Sequence, residues 1–266
     1  MPPLPTADLL DLALRLAREA GELLVEGRGR RPAGVSTKTS DTDMVSEIDR
    51  ASERLIVDGL RDARPGDGIL AEEGTDDTST TGVTWVVDPL DGTTNYLYGF
   101  PAFAVSVAAQ VDGVSQVGVV VDPSHGETFT AVRGRGAWCN DRPLRCTSQS
   151  ELGTALVGTG FSYSPERRAR QAEVLARVLP SVRDIRRAGA ASVDLCWVAC
   201  GRLDGFYERG LQPWDIAAGT LVAEEAGAST GSLGDEPASG ELTIAASPAL
   251  FEPLRRLLAG AGAGQD

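Results

Sequence analysis

The sequence predicts an α+β fold, because its strand-like segments are clustered in the middle and its helical segments lie before and after them. Apolar residues recur at helical spacing in the first 62 residues, and runs rich in valine occupy much of residues 84–139. This segregation favours α+β layers over strict βαβ alternation. Without any internal repeat or linker, we expect one domain over residues 1–266, with a first half of about 1–150 and a second half of about 151–266.

The first half is predicted to contain two helices followed by a series of strands. Thr6 is a suitable N-cap, and leucines and alanines then recur every three or four residues up to Gly27. Residues 28–42 are basic and polar, which indicates a mobile loop before a second helix at about 44–62. Asp112-Gly113 is a hairpin signal between two strands. Strands are expected at 84–87 (ending at Asp88-Pro89), 103–111, 114–121, 128–132 and 137–139. Residues 66–82 are expected to be loop-like, interrupted by the short apolar piece Ile69-Leu70-Ala71.

The second half is predicted to alternate between strands and helices. Ser164 and Pro165 are typical of an N-cap and a first helical position, and this helix should extend to about Leu179. Ser247-Pro248 caps a last helix, in which Pro253 removes one internal hydrogen bond. The remaining elements are strands at 155–160, 203–207 and 241–245 and helices at 191–200 and 214–226.

The charge of the chain excludes some classes of partner. It contains 38 acidic and 25 basic residues, a net charge of −13. A protein without basic excess cannot displace counterions from a nucleic acid, and an anionic membrane surface would repel it. No signal-peptide pattern or apolar run of membrane-spanning length is present, so we expect a cytoplasmic protein that binds neither nucleic acid nor membrane.

Cysteine and histidine offer little catalytic machinery. The four cysteines (Cys139, Cys146, Cys196, Cys200) show no CxxC spacing, which favours buried, reduced thiols. The only histidine, His125, lies in a predicted turn. A single turn histidine argues against a Ser-His-Asp hydrolase and against a zinc site built on several histidines, and carboxylates remain as the candidate catalytic groups.

Three acidic segments are candidates for a metal site: Glu72-Glu73, residues 88–95 and Trp214-Asp215. Taken singly, each is more typical of a turn, a solvated surface or a helix cap. In the second segment, however, two aspartates three residues apart follow a buried strand, and Gly92 permits close approach of the backbone. Such a loop can bind a hard cation with its oxygens and a phosphate oxygen with its free N–H groups.

Several long motifs resemble those of the inositol monophosphatase family. The segment Trp85–Tyr96 (WVVDPLDGTTNY), continued by residues 99–106, resembles the first family signature. Residues 214–219 with Glu224, Ala226 and Gly227 are similar to the second signature. Glu72-Glu73-Gly74 matches the paired glutamates, residues 43–49 resemble the segment after the mobile loop, and Lys38 falls where that loop carries a lysine. The resemblance extends from about residue 8 to 258.

The resemblance implies an αβαβα sandwich of the inositol monophosphatase and fructose-1,6-bisphosphatase type, a homodimer, lithium sensitivity and two or three Mg²⁺ ions per subunit. The implied substrate is inositol 1-phosphate or a similar small polyol or sugar monophosphate. The implied metal ligands are Glu72, Asp88, the Leu90 carbonyl, Asp91 and Asp215. The implied catalytic residues, which orient and deprotonate water, are Glu72, Asp49 and Thr93. The implied substrate contacts are Leu90, Asp91, Gly92, Thr93, Gly189, Ala190, Ala191, Glu208 and Asp215.

Other activities within the superfamily remain open alternatives. Histidinol phosphate, fructose-1,6-bisphosphate and adenosine 3′,5′-bisphosphate are candidate substrates, and the bisphosphates would need a further basic contact, for which Arg186, Arg187 and Arg209 are candidates. Tyr98 and Gln212-Pro213 depart from the familiar pattern near the expected entrance, which bears on substrate choice. An alternative of another class is a non-catalytic, metal-dependent regulator. The loss of a ligand carboxylate would favour it, and none is missing.

Overall fold

The structure, a computed structural model, describes residues 6–28, 36–37, 44–45 and 47–264. The predicted mobile loop and Lys38 lie largely or wholly outside these residues. The helices are α1 (Thr6–Gly27), α2 (Glu47–Ala63), α3 (Thr93–Tyr98), α4 (Pro165–Val178), α5 (Ala191–Ala199), α6 (Pro213–Glu225) and α7 (Pro248–Ala261). The strands of the first half are β1 (Ser36–Thr37), β2 (Met44–Val45), β3 (Gly68–Ala71), β4 (Asp76–Asp77), β5 (Val83–Asp91), β6 (Ala104–Val111), β7 (Val114–Asp122), β8 (Glu127–Val132), β9 (Gly136–Cys139) and β10 (Arg142–Pro143). Those of the second half are β11 (Leu156–Thr159), β12 (Asp184–Arg186), β13 (Gly205–Glu208), β14 (Ser229–Gly231) and β15 (Thr243–Ala246).

Two large sheets form the framework. The first has eight strands in the order β10-β9-β8-β7-β6-β5-β3-β4, and the second has five in the order β12-β11-β13-β15-β14. Most neighbouring strands are antiparallel. The parallel pairs are β3 with β5 in the first sheet, and β11 with both β12 and β13 in the second. The parallel pairing of β3 with β5 brings the carboxyl ends of both strands to one edge, where the acidic segments follow.

The helices and sheets alternate in five layers. One face of the eight-stranded sheet packs on α1 and α2, with Trp85 and Phe103 fully buried between them. The other face of the eight-stranded sheet packs on α5 and α6. The opposite side of α5 and α6 packs on the five-stranded sheet, and α4 and α7 pack on the far face of that sheet. Burial of aromatic and aliphatic side chains in each interface stabilises this order of layers. The predicted α+β class and αβαβα layering are confirmed.

Two predicted boundaries near the site are wrong. Residues 44–45 form β2, paired with β1 through Thr37 and Met44, so α2 begins at Glu47 and not at residue 44. The strand predicted to end at Asp88-Pro89 continues as β5 to Asp91, with an irregular register between Asp88 and Asp91. A proline is tolerated at such an irregular point, where ladder hydrogen bonds are interrupted.

The remaining expectations from composition can be compared with the structure. All four cysteines are described and none forms a disulfide. His125 is in a turn, as predicted, and its Nδ1 lies 2.7 Å from the buried Asp122 carboxylate. Among the described residues, no helix has the length and apolar character needed to cross a membrane.

Candidate active site

The first acidic pair lies at the adjacent ends of β3 and β5. Ala71 pairs with Val87 in parallel register, and the backbone N–H of Glu72 donates to the Val87 carbonyl at 3.3 Å. Glu72, one residue beyond β3, is therefore next to Asp88 on β5. Asp88 is only 1% exposed, so its carboxylate lies at the bottom of the site.

The irregular end of β5 folds into a turn that is fixed by its own side chains. Asp88 Oδ1 accepts the Leu90 N–H at 3.0 Å, and the Thr93 hydroxyl donates to the Leu90 carbonyl at 3.0 Å. Gly92 has φ of 86°, and a Cβ there would be 2.8 Å from the Ala102 carbonyl oxygen. Only glycine fits this position without strain. The chain then enters α3, whose first N–H groups have no intrahelical acceptor.

The N-terminus of α5 holds the second aspartate of this turn. Asp91 Oδ2 accepts the Ser192 N–H at 2.8 Å and the Ser192 hydroxyl at 2.5 Å. The positive end of the helix dipole favours an anion at this position. The preceding turn is tied to α3, because Asn95 Nδ2 donates to the carbonyl oxygens of Ala188 at 2.9 Å and Gly189 at 3.3 Å.

Asp215 and Glu208 come from the second half of the chain. Asp215 is the third residue of α6 and forms a capping box, in which the Gln212 N–H donates to Asp215 Oδ2 at 2.6 Å. This contact fixes the orientation of the Asp215 carboxyl group, which also interacts with the Asp88 side chain. Glu208 is the last residue of β13, the central strand of the five-stranded sheet, and its carboxyl group packs against Gly160.

Helix α2 supplies a carboxylate beneath the turn. The fully buried Asp49 has Oδ2 at 3.3 Å from the Thr93 hydroxyl. Asp49, Glu72 and Glu73 each offer an oxygen within 4.8 Å of the others. This spacing is compatible with a shared cation.

Burial and mutual repulsion raise the pKa values of the site carboxyls. The pKa of Asp88 is well above its usual value because of burial and, in decreasing order, the charges of Glu72, Asp91, Asp215 and Asp49. Burial raises the pKa of Asp91 too, although the Ser192 hydrogen bonds oppose this. Burial and the Asp91 charge raise the pKa of Asp215 to about 7, and burial raises that of Glu208 to about 8. A bound cation would stabilise the ionised form of these carboxyl groups by taking the place of their protons.

An open pocket of about 510 Å³ contains most of the predicted site residues. This volume suits a small organic ligand. Two predicted residues are not on its wall: Asp49 lies below Thr93, and Ala190, 1% exposed, packs behind Gly92. The predicted residues that line the pocket are Glu72, Asp88, Leu90, Asp91, Gly92, Thr93, Gly189, Ala191, Glu208 and Asp215.

Sequence reasoning missed several residues that support the site. Ser192 and Asn95 hold the Asp91 turn, and Glu53 on α2 accepts the Glu73 N–H at 2.7 Å and the Thr75 hydroxyl at 2.9 Å. Ser52 donates to the Pro89 carbonyl at 2.8 Å. These residues contact partners far away in the chain. The only local signal was the position of Ser192 at the start of a predicted helix.

The donor set fits one or more hard divalent cations. Carboxylate oxygens and the Leu90 carbonyl are the ligand atoms that such ions prefer, and neither a thiolate nor an imidazole lines the pocket. The buried, mutually repelling carboxylates also need positive charge to be ionised together. The chain is thus a layered α+β protein with a carboxylate-lined pocket that could hold metal ions.

Comparison with known proteins is consistent with this class. The model of the inositol monophosphatase family matches residues 6–262, and the chain therefore belongs to this family. It is 46% identical to an inositol-1-monophosphatase of Mycobacterium bovis, over 93% of this chain and 92% of that one. It is 43% identical to a Nus factor SuhB of Pasteurella multocida, over 82% and 83% of the two chains.

Solved structures share the fold. The extragenic suppressor protein suhB from Bartonella henselae superposes with a TM-score of 0.88 at 37% identity, over 94% of this chain and 98% of that one. SaIMPase-II, crystallised with inositol monophosphate bound, gives a TM-score of 0.80 at 26% identity over 96% and 95% of the two chains.

Proposed function

We propose that this protein is a Mg²⁺-dependent phosphatase of small polyol or sugar monophosphates, with inositol 1-phosphate as the first candidate. The observation that carries this proposal is the convergence of Glu72, Asp88, Asp91 and Asp215 on one pocket from three separate segments. The names of the mycobacterial relatives and the inositol monophosphate bound by SaIMPase-II support this substrate class.

The chain's own residues have distinct roles in this proposal. Glu72, Asp88 and the Leu90 carbonyl hold a first Mg²⁺, and Asp88, Asp91 and Asp215 hold a second. Bound Mg²⁺ supplies Lewis-acid stabilisation of charge on the transferred phosphoryl group and lowers the pKa of water.

Asp49, Thr93 and Glu72 orient and deprotonate the attacking water. The Thr93 hydroxyl lies between the Leu90 carbonyl and Asp49 Oδ2, which supports a role in holding a proton at this position. The Gly92 and Thr93 N–H groups bind phosphate oxygens. The turn at Gly189–Ala191 and Glu208 contact the hydroxyl groups of the polyol.

Phosphate release with Mg²⁺ from inositol 1-phosphate, histidinol phosphate, fructose-1,6-bisphosphate and adenosine 3′,5′-bisphosphate tests this proposal. Asp91→Asn should lower kcat/KM by about a hundredfold or more, because a metal ligand is lost. Asp58→Asn, the same charge change on the exposed side of α2, is the matched control. Turnover that survives Asp91→Asn would contradict the metal assignment.

A second candidate function is suggested by the relatives named Nus factor SuhB. In this case the chain acts as a binding protein, alone or in addition to catalysis. The complete carboxylate set supports catalysis, and Asp91→Asn separates the roles, because a purely binding function should persist in that variant. No turnover of any of the four substrates by the wild-type chain would favour the binding function. Lithium sensitivity and the homodimer stay predictions.

A further inference from the structure

A small cavity lies behind the substrate pocket, between the five-stranded sheet and helix α4. The two share the wall formed by Phe161, Glu208 and Arg209. The cavity is narrow, because only about 30 Å³ of it is open to the centre of a water molecule. This space holds about two ordered waters and excludes a second sugar ring.

The polar lining of this cavity is basic, although the protein is strongly acidic. Arg167 and Arg170 come from α4 and Arg209 follows β13, whereas Glu208 is the single acidic residue among the described residues of the wall. Three arginine side chains and one glutamate side chain therefore contribute to this wall. Planar guanidinium groups match tetrahedral oxyanions by paired hydrogen bonds.

The two arginines on α4 are not held by side-chain hydrogen bonds to other described residues, and Arg167 is half-buried whereas Arg170 is exposed. Within the described part of the chain, no ion pair holds Arg167, and Arg170 attracts the exposed Glu166 carboxylate one turn earlier on α4. Arg177, further along α4, differs, since its Nη1 donates to the Ala261 carbonyl at 2.7 Å. Arg209 is oriented by its own contact, from Nη1 to the Ala263 carbonyl at 3.1 Å.

A buried hydroxyl group also lines the cavity. Tyr207 is 6% exposed, and its hydroxyl has no hydrogen-bond partner among the described residues. Burial raises the pKa of this phenol, and the Thr159 side chain, which lies nearby without meeting hydrogen-bond geometry, lowers it in part. An unpaired buried donor is costly, and an acceptor bound in the cavity would satisfy it.

We propose that this cavity is an anion subsite, in which Arg167, Arg170 and Arg209 bind one phosphate-like oxyanion beside the substrate pocket. The Tyr207 hydroxyl donates to the same anion. Its source is either a second phosphate of the substrate or free inorganic phosphate. If the anion is the second phosphate of a substrate, this inference rests on the proposed phosphatase function. In that case the first phosphate of the same molecule is bound in the carboxylate-lined pocket.

Calorimetric titration of the full chain with orthophosphate in the presence of EDTA tests the subsite independently of turnover. Without metal the carboxylate pocket repels phosphate, so binding should be unchanged in Asp91→Asn. It should weaken at least about tenfold in Arg170→Gln and be lost in the Arg167→Gln/Arg170→Gln variant. Arg170→Lys, which retains the charge without the planar fork, should be intermediate. Arg183→Gln, an exposed arginine outside the cavity, is the matched control and should bind as the wild type does.

Two results would overturn the proposal: no phosphate binding by the metal-free wild type, or equal affinity in the folded double variant. Thermal melts of each variant exclude unfolding. Mg²⁺-dependent turnover could persist in either case, so failure of the subsite differs from failure of the phosphatase proposal.

Steady-state kinetics with a monophosphate and a bisphosphate of the same sugar then show whether the anion in the subsite is a substrate's second phosphate or free phosphate. If the double variant loses at least about tenfold in kcat/KM for the bisphosphate relative to the monophosphate, the anion is the substrate's second phosphate. An unchanged ratio, with phosphate binding lost, assigns the subsite to free phosphate.

Discussion

Ser192 donates two hydrogen bonds to one oxygen of Asp91, from its backbone N–H at 2.8 Å and from its hydroxyl at 2.5 Å. The contact joins the N-terminus of α5 to the end of β5 and thus fixes the orientation of a proposed metal ligand. It leaves the other Asp91 oxygen for a cation. Outer contacts of this kind orient a ligand and tune its affinity for metal.

Ser192→Ala should therefore raise the Mg²⁺ concentration for half-maximal activity by about tenfold, because the backbone hydrogen bond remains and the hydroxyl bond is lost. Activity as a function of Mg²⁺ concentration measures this shift. Ser115→Ala is the control, since Ser115 is also buried and donates to the Ala217 carbonyl away from the carboxylate-lined pocket. An identical Mg²⁺ dependence in the two variants would rule out the orienting role.

The acidic residues of the site could be predicted because each is part of a contiguous motif. Asp88 and Asp91 share one turn, Glu72 directly follows a short apolar strand, and Asp215 begins an apolar helix. Ser192, Asn95 and Glu53 could not be predicted, since their role depends on backbone groups or carboxylates that only the tertiary fold brings near. Residues that belong to a local motif can be recognised in the sequence. Residues that hold the site from a distant segment cannot.

The elements of the fold also divide into those that local signals predict and those that depend on tertiary contacts. The long amphipathic helix α1 and the Asp112-Gly113 hairpin have strong local signals, and both were predicted. No local signal indicates that β5 continues past Pro89, because the strand is held there by its pairing with β6 and by the Asp88 side chain. Tertiary contacts overrode the local preference of proline at this position.

Gly92→Ala should destabilise the chain and abolish activity. Its φ of 86° costs an alanine about 1–2 kcal/mol. In addition, the new Cβ would be 2.8 Å from the Ala102 carbonyl oxygen, which is already held by Asn95 Nδ2 at 2.6 Å. Gly113→Ala separates the two effects, since Gly113 has φ of 75° and no atom within 4 Å of the added Cβ. Urea denaturation should show a larger loss of stability for Gly92→Ala, and equal losses would exclude the steric contribution.

Glu53→Gln should loosen the turn that carries Glu72. The Glu53 carboxylate accepts hydrogen bonds from the Glu73 N–H and the Thr75 hydroxyl, and an amide can accept only one of them well. Hydrogen bonds to a charged group contribute about 1.5–3 kcal/mol, so we expect a loss of about 1–2 kcal/mol in the free energy of unfolding. Activity should fall as well, while the exposed Asp58→Asn on the same helix changes neither. Wild-type stability and Mg²⁺ dependence in Glu53→Gln would show that the turn does not need this contact.

The metal-free protein should lose stability as the pH rises. Burial and the Asp91 charge raise the pKa of Asp215 from 3.8 to about 7, and burial raises the pKa of Glu208 from 4.5 to about 8. The folded chain therefore binds more protons than the unfolded chain. The resulting stabilisation is complete below about pH 4 and is lost as the pH rises through about 7 to 8. In EDTA, the melting temperature should fall by several degrees between about pH 5.5 and about pH 8.5.

Mg²⁺ should reverse this loss, because it binds the ionised carboxylates and the folded chain alone presents them together. Its effect on the melting temperature should be larger at the higher pH, where fewer protons compete for the ligand oxygens. Asp215→Asn, which removes one of the titrating groups, should flatten the pH dependence in EDTA and reduce the increase caused by Mg²⁺. Asp58→Asn should leave both unchanged. A metal-free melting temperature that rises over this pH range, or a Mg²⁺ effect that is equal at both ends of it, would contradict the assignment of these carboxyls to a metal site.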